Sequence, residues 1–290
     1  MNDYCVRIIS PDANVLGLAC VTTGLVNYAC RLHGTHPTAS AALGRALTGG
    51  ALMGALLKND QRVGLKIEGS GPLKKIIVEA DNFGAVRGFV GVPEVDLPPK
   101  NGKIDVAGAV GHAGFLTVIK DLGLKKPYEG IVQLRTSEIA EDIAYYFAES
   151  EQIPSAVGLG VFVAPDTTIS VAGGFLVQAL PPSDDHVIDT LIAQIGSIPP
   201  VSECYRAGKT PEDLLVMIFK KNPFHVIEKR DLLYKCTCNR GKIELVIRSL
   251  GRDEIEAIRR DQGEAVIICE FCRNRYHFSG EELDHILATL

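Results

Sequence analysis

Four cysteines near the C-terminus carry the clearest chemistry in this 290-residue chain: Cys236-Thr-Cys238, then thirty residues, then Cys269-Glu-Phe-Cys272. Two tight thiol pairs suit Zn²⁺, which takes four thiolates tetrahedrally at ~2.3 Å and closes a small domain around itself. Thiolates sharing such an ion sit ~3.8 Å apart, whereas disulfide sulfurs sit ~2.05 Å apart. Metal binding and disulfide formation therefore exclude each other, and peroxide competes with the metal for the same four atoms. A core of the size available to this tail rarely supplies more than ~3–5 kcal/mol of stability. Structural zinc contributes ~10–16 kcal/mol of apparent binding energy, which is folding energy where no site is preformed. Removing the metal is expected to unfold the tail.

Other reactive side chains have plainer roles. Cys5 and Cys20 fall in expected strands, Cys30 precedes Arg31, and Cys204 lies in a Pro-rich stretch; isolated thiols of this kind behave as small core hydrophobes. A thiol such as Cys204 could still exchange disulfides with the paired cysteines if these were oxidised. His33 and His36 have no cysteine or carboxylate array beside them and fit a loop and helix entry. His277 follows Cys272 by five residues, but four thiolates already fill a tetrahedron. The run Arg206-Ala-Gly-Lys-Thr210 lacks the first glycine of a phosphate loop, since Glu203 stands there and Pro211 follows. Gly208 ending one helix, Thr210 capping the next and Pro211 opening it explain the same residues. No nucleotide site is indicated. No G-x-S-x-G, G-x-G-x-x-G or triad pattern points to an enzyme.

The elements that must carry the cysteines divide into three parts. Of the 29 glycines, 23 lie in residues 1–178, which marks that part as turn-rich and β-containing. Val- and Ile-rich runs predict strands at 4–9, 15–22, 62–68, 75–80, 85–92, 115–119, 131–135, 158–164 and 169–179. An Ala/Leu-rich run at 38–58, opened by Pro37 and Thr38, predicts a buried helix whose glycines allow close backbone approach; Ser137 precedes a second helix at 138–149. The expected fold is α+β, a mainly antiparallel sheet packed with helices, over 1–178.

Six of the 15 prolines fall in 179–232, which reads as a helical, Pro-punctuated linker. A helix at 184–194 would put Val187, Ile188, Leu191, Ile192 and Ile195 on one face. Leu214, Leu215, Val216, Met217, Ile218 and Phe219 are apolar without interruption, so a helix there needs cover from neighbouring domains and becomes a sticky surface if the cover moves. Residues 233–290 are expected to form a small zinc-binding domain, in which metal and oxidant compete for the thiols, ending in a helix capped by Ser279 and Glu282.

Composition excludes several classes. A net charge of −5 and 46% hydrophobic residues allow a large core and exclude a disordered chain. The start, MNDYCVRIIS, is charged where a signal peptide is apolar, so the reducing cytosol is the expected compartment. The longest charge-free stretch, 167–183, is too short for the ~20 apolar residues of a spanning helix, so no membrane partner is expected.

The Cys-x-Cys and Cys-x-x-Cys array stands behind HGTHPTASAALGRAL (33–47), KIEGSGPL (66–73), KDLGL (120–124), SEQIPSAVGLGVFV (150–163) and AGGFLVQALP (172–181). In this combination, over essentially the whole length, the chain resembles the redox-regulated 33 kDa heat-shock chaperonins. The resemblance implies an ATP-independent holdase, inactive while its four reduced cysteines bind zinc. It further implies that oxidation joins Cys236 to Cys238 and Cys269 to Cys272, zinc leaves, the end domain unfolds and the linker loosens. Unfolding client proteins then bind, and the activated form is a homodimer.

Two other classes fit the cysteines alone. A zinc-ribbon nucleic-acid module would need a basic excess, but residues 233–290 hold nine Lys and Arg against ten Asp and Glu. A thiol oxidoreductase using Cys269 and Cys272 would need a βαβ setting that this tail lacks.

Overall fold

A computed structural model describes residues 2–182, 185–220 and 222–290. The chain forms two compact units, Met1–Lys235 and Cys236–Leu290. The first unit begins β1 (Tyr4–Ser10), β2 (Val15–Val21), α1 (Thr23–His33), α2 (Pro37–Ala55), β3 (Arg62–Gly69), β4 (Lys75–Asp81), β5 (Ala85–Val90), α3 (Val106–Val110) and β6 (Gly114–Asp121). It continues β7 (Tyr128–Gln133), α4 (Ala140–Ser150), β8 (Ser155–Val163), β9 (Ile169–Ala179), α5 (Asp185–Ser197), α6 (Val201–Arg206), α7 (Pro211–Phe219), β10 (His225–Asp231) and β11 (Leu233–Tyr234).

The strands make two sheets, ordered β10-β1-β2-β9-β8 and β11-β5-β4-β3-β6-β7, antiparallel throughout except for β11 beside β5. Helix α2 packs against strands of both sheets and is buried along nearly its whole length. Its glycines make that possible: a Cβ at Gly49 would lie 2.5 Å from Ile143 and one at Gly50 2.5 Å from Val78. The mixed α+β reading of the sequence is what the chain adopts.

Several elements differ from the sequence expectation for local reasons. Helix α4 starts two residues late because Ser137 and Ile139 take positive φ. Its N-terminal cap comes from inside the helix, where the buried Asp142 carboxylate accepts N–H groups of Arg135 (2.7 Å), Thr136 (3.1 Å) and Ile139 (3.1 Å). The segment 179–232 is helical only in part, because β10 pairs with β1 from Tyr4↔Asp231 to Ile9↔His225. Its HVIEKRD sequence has no core-facing alternation, since an edge strand is held by backbone pairing. The expected start of a helix at 184 lies outside the described residues. In α5, Leu191 is buried and Val187 and Ile195 pack beside it, but Ile192 is 59% exposed, so the expected five-residue face narrows to an i, i+4, i+8 stripe.

Helix α7 is covered by its own unit, packing against β1, β2, β9 and α5. Leu214, Leu215, Ile218 and Phe219 are fully buried, while Val216 is 56% exposed and Met217 is half-buried. Thr210 and Asp213 form a capping box and Pro211 opens the helix. Tyr4 of β1 donates to Glu212 (2.7 Å), and Lys229 of β10 pairs with the same carboxylate (3.0 Å).

The second unit contains α8 (Arg240–Ser249), α9 (Arg252–Asp261), β12 (Ala265–Ile268), β13 (Arg275–Phe278) and α10 (Gly280–Ala288), with β12 and β13 paired as a hairpin. Its core is small, built on Ile243, Ile247, Ile255, Phe278, Leu283 and Ile286. Ser279 and Glu282 form the capping box of α10.

Burial of Phe219 against Phe224 at 5.6 Å between ring centroids makes α7 a sensitive point. Phe219→Ala should destabilise the first unit by about 3–5 kcal/mol, measured as a lower urea midpoint; a loss below about 1 kcal/mol would contradict this packing.

Candidate metal centre

Two separate local structures bring the four cysteines together. Cys269 and Cys272 occupy the turn between β12 and β13, while Cys236 and Cys238 lie in the extended chain that enters α8. The turn is a tight knuckle. Cys269 N–H donates to Asn274 O (2.9 Å), Arg273 N–H donates back to Cys269 O (2.8 Å), and Arg273 takes a φ of 58°. Asn239 caps α8 through Lys242 N–H (2.9 Å), which leaves Cys238 one residue before the positive end of a helix.

The four Sγ atoms all lie within 4.8 Å of one another. Cys236 and Cys269 are 3.8 Å apart and Cys238 and Cys272 3.2 Å apart. Both distances far exceed the ~2.05 Å of a disulfide; the first equals the ~3.8 Å edge of a thiolate tetrahedron around zinc and the second is about 0.6 Å shorter. The donor set, two sulfurs on a hairpin turn and two on the segment entering α8, fits a soft tetrahedral ion.

Without a cation the site opposes its own ionisation. Burial pushes the Cys269 thiol up, partly offset by N–H groups of Cys272 and Phe271 aimed at its sulfur. Burial pushes Cys272 up further, and the neighbouring Cys238, Cys269 and Cys236 sulfurs add to it, against one N–H from Asn274. Thiolates at this spacing need a positive charge between them. The N–H groups aimed at sulfur are the partners that a metal-bound thiolate accepts.

Sequence reasoning stopped at the four ligands and missed Tyr276, whose hydroxyl is 3.1 Å from Cys238 Sγ. Its phenol is pushed up to about 12, first by that contact. The only sequence signal was an aromatic four residues past Cys272 in a strand-like run. It also missed Arg240, which pairs with Glu282 and lies 4.3 Å from the Phe278 ring, joining the start of α8 to α10 and β13.

The remaining candidates lie elsewhere. His277 is exposed and contacts Glu264 at 2.7 Å. His33 Nε2 meets the Tyr234 hydroxyl at 3.3 Å, and His36 stands at the N-cap of α2. Gly208, with a φ of 81°, turns the chain from α6 into Thr210 and α7. Cys5 and Cys20 face each other across β1 and β2 and, like Cys30 and Cys204, are buried.

Fold and site together define a two-unit protein: an α+β body followed by a small tail built round a four-cysteine, metal-type centre. The Hsp33 protein family model matches residues 3–279, and the chain belongs to that family. It is 60% identical over 290 residues to the 33 kDa chaperonin of Geobacter sulfurreducens, covering all of this chain and 96% of that one. Identity to the 33 kDa chaperonin of Geobacillus sp. strain WCH70 is 45%, over 99% of this chain and 97% of the relative. The crystal structure of the 33 kDa chaperonin of Thermotoga maritima superposes with a TM-score of 0.91 at 37% identity, covering 100% of this chain and 99% of the other. Among the described residues no helix is long and apolar enough to cross a membrane.

Burial lifts the Cys5 thiol from its ordinary 9.0 to about 12 and Cys20 well above 9.0. A raised folded value stabilises the fold below the unfolded value and is lost as pH rises towards the folded one. Unfolding free energy should therefore start to fall above about pH 9, by ~1.4 kcal/mol per pH unit for each such thiol. Urea titrations from pH 7 to 11 on the protein and on Cys5→Val measure it; equal slopes in the two would contradict this assignment.

Proposed function

We propose that this chain is an ATP-independent, redox-switched holdase that keeps unfolding proteins from aggregating, and that it is not an enzyme. The observation that carries the reading is the convergence of Cys236, Cys238, Cys269 and Cys272 within 4.8 Å in a unit of very small core. In the reduced state these residues would hold one Zn²⁺, which supplies the positive charge that four adjacent thiolates require.

Oxidation by peroxide uses the same sulfurs. In each pair, Cys236 with Cys238 and Cys269 with Cys272, one thiolate attacks a peroxide oxygen, the O–O bond breaks, and a sulfenic acid and hydroxide form. The second thiolate then attacks that sulfur, forming the S–S bond and expelling a second hydroxide. Two electrons pass from each thiol pair to one peroxide. The joined sulfurs no longer act as a thiolate array, and the tail loses the folding energy that the array provided.

The switch then reaches the first unit through residues 179–232. Release of α7 and β10 from β1 would uncover Leu214, Leu215, Ile218 and Phe219, a continuous apolar surface for unfolded client segments. The activated form pairs as a homodimer in the cytosol. No nucleotide takes part, in keeping with Gly208, Lys209 and Thr210 forming an ordinary turn between helices. Nucleic acid is a poor partner for a tail with no basic excess.

Light scattering from a heat-denatured client tests this reading. Reduced, zinc-loaded protein should leave the client to aggregate and peroxide-treated protein should suppress scattering, with zinc content falling from one per chain to none. Equal scattering in the two states would refute the switch.

A further inference from the structure

We propose that Tyr276 is a positioning residue of the cysteine centre: its hydroxyl donates a hydrogen bond to the sulfur of Cys238 and slows that sulfur's attack on an oxidant. This inference rests on the metal-site reading above. The hydroxyl and Sγ are 3.1 Å apart, within reach of an O–H···S contact. A metal-bound cysteine sulfur is a thiolate without a proton, so the phenol is the donor of this pair. Hydrogen bonds to a charged acceptor are about twice as strong as neutral ones.

The placement of the phenol is rigid. Tyr276 pairs with Ile267 across the β12–β13 hairpin, and its ring packs against the core of the second unit. Two side-chain torsions then fix the hydroxyl with little freedom. The hairpin carries Cys269 and Cys272, whereas Cys238 arrives on the arm that enters α8. Tyr276 therefore ties the two cysteine-bearing segments together through an atom that is not itself a ligand, as outer-shell partners of metal sites do.

The chemical effect follows from the lone pair. Attack on hydrogen peroxide requires a sulfur lone pair to form an S–O bond while the O–O bond breaks and hydroxide leaves. A hydrogen bond stabilises that electron density in the starting state more than after it has moved to oxygen. Removing the hydroxyl should raise the reactivity of Cys238 and lower the threshold of the switch.

The test uses full-length, zinc-loaded Tyr276→Phe beside the unaltered protein, with zinc release by hydrogen peroxide followed through a chromogenic chelator. Release should be about 10-fold faster, the lower end of the range for outer-shell partners. In the cobalt-substituted proteins the sulfur-to-metal charge-transfer band should move to lower energy in Tyr276→Phe, a change that a purely structural role would not produce. Placing 3-fluorotyrosine at 276 keeps the shape and strengthens the donor, so release should slow; this arm decides the matter if Tyr276→Phe does not fold. Equal release rates and an unmoved cobalt band, in protein that holds its metal, would overturn the role of Tyr276 alone. Unaltered protein that binds no zinc would overturn the metal site and this role with it.

Discussion

Four sulfurs held closer than 5 Å cannot all carry charge unless a cation sits among them, and that constraint governs the second unit. Its apolar core consists of a few isoleucines with Phe278 and Leu283, which places it in the range of ~3–5 kcal/mol typical of such small cores. A structural zinc ion is worth ~10–16 kcal/mol. On the proposed reading the larger quantity decides, and the tail would fold because a metal ion satisfies its thiolates. Chemistry that consumes the thiolates would then act on the whole unit.

The first unit is built differently. Strands of two sheets pack against a helix that is buried along nearly its whole length, and this body needs no metal to bury its surface. Segment 179–232 belongs to this first unit. Helix α7 has a deep apolar face, yet its polar attachment to β1 and β10 depends on partly exposed groups, Tyr4, Glu212 and Lys229, whose contributions are modest. Its β10 joins the sheet only along an edge. The proposed switch would have to overcome that burial, not the polar ties, to free α7.

Much of this was legible in the sequence where the signal is local. Cysteine spacing announced the centre because ligand geometry is set by short turns, and the Ala/Leu run at 38–58 announced α2 because a helix buried all round is apolar all round. The cap at Thr210 and the capping box at Ser279 were equally local. What escaped depends on partners distant in the chain. Strand β10 has no pattern of its own, and α9 buries only Ile255 among its charges. Asp142 caps its own helix by reaching back to residues 135–139, and Tyr276 meets Cys238 across 38 positions. Ile192 was misplaced because a helical pattern gives the apolar stripe but not its width.

Amide hydrogen exchange on the reduced, full-length protein, before and after a chelator removes zinc, addresses the central claim most directly. The account predicts that α8, α10 and the β12–β13 hairpin lose protection together, that strands β2, β3 and β4 keep theirs, and that one equivalent of zinc restores the pattern. Protection in α8 and α10 that survives metal removal would contradict it.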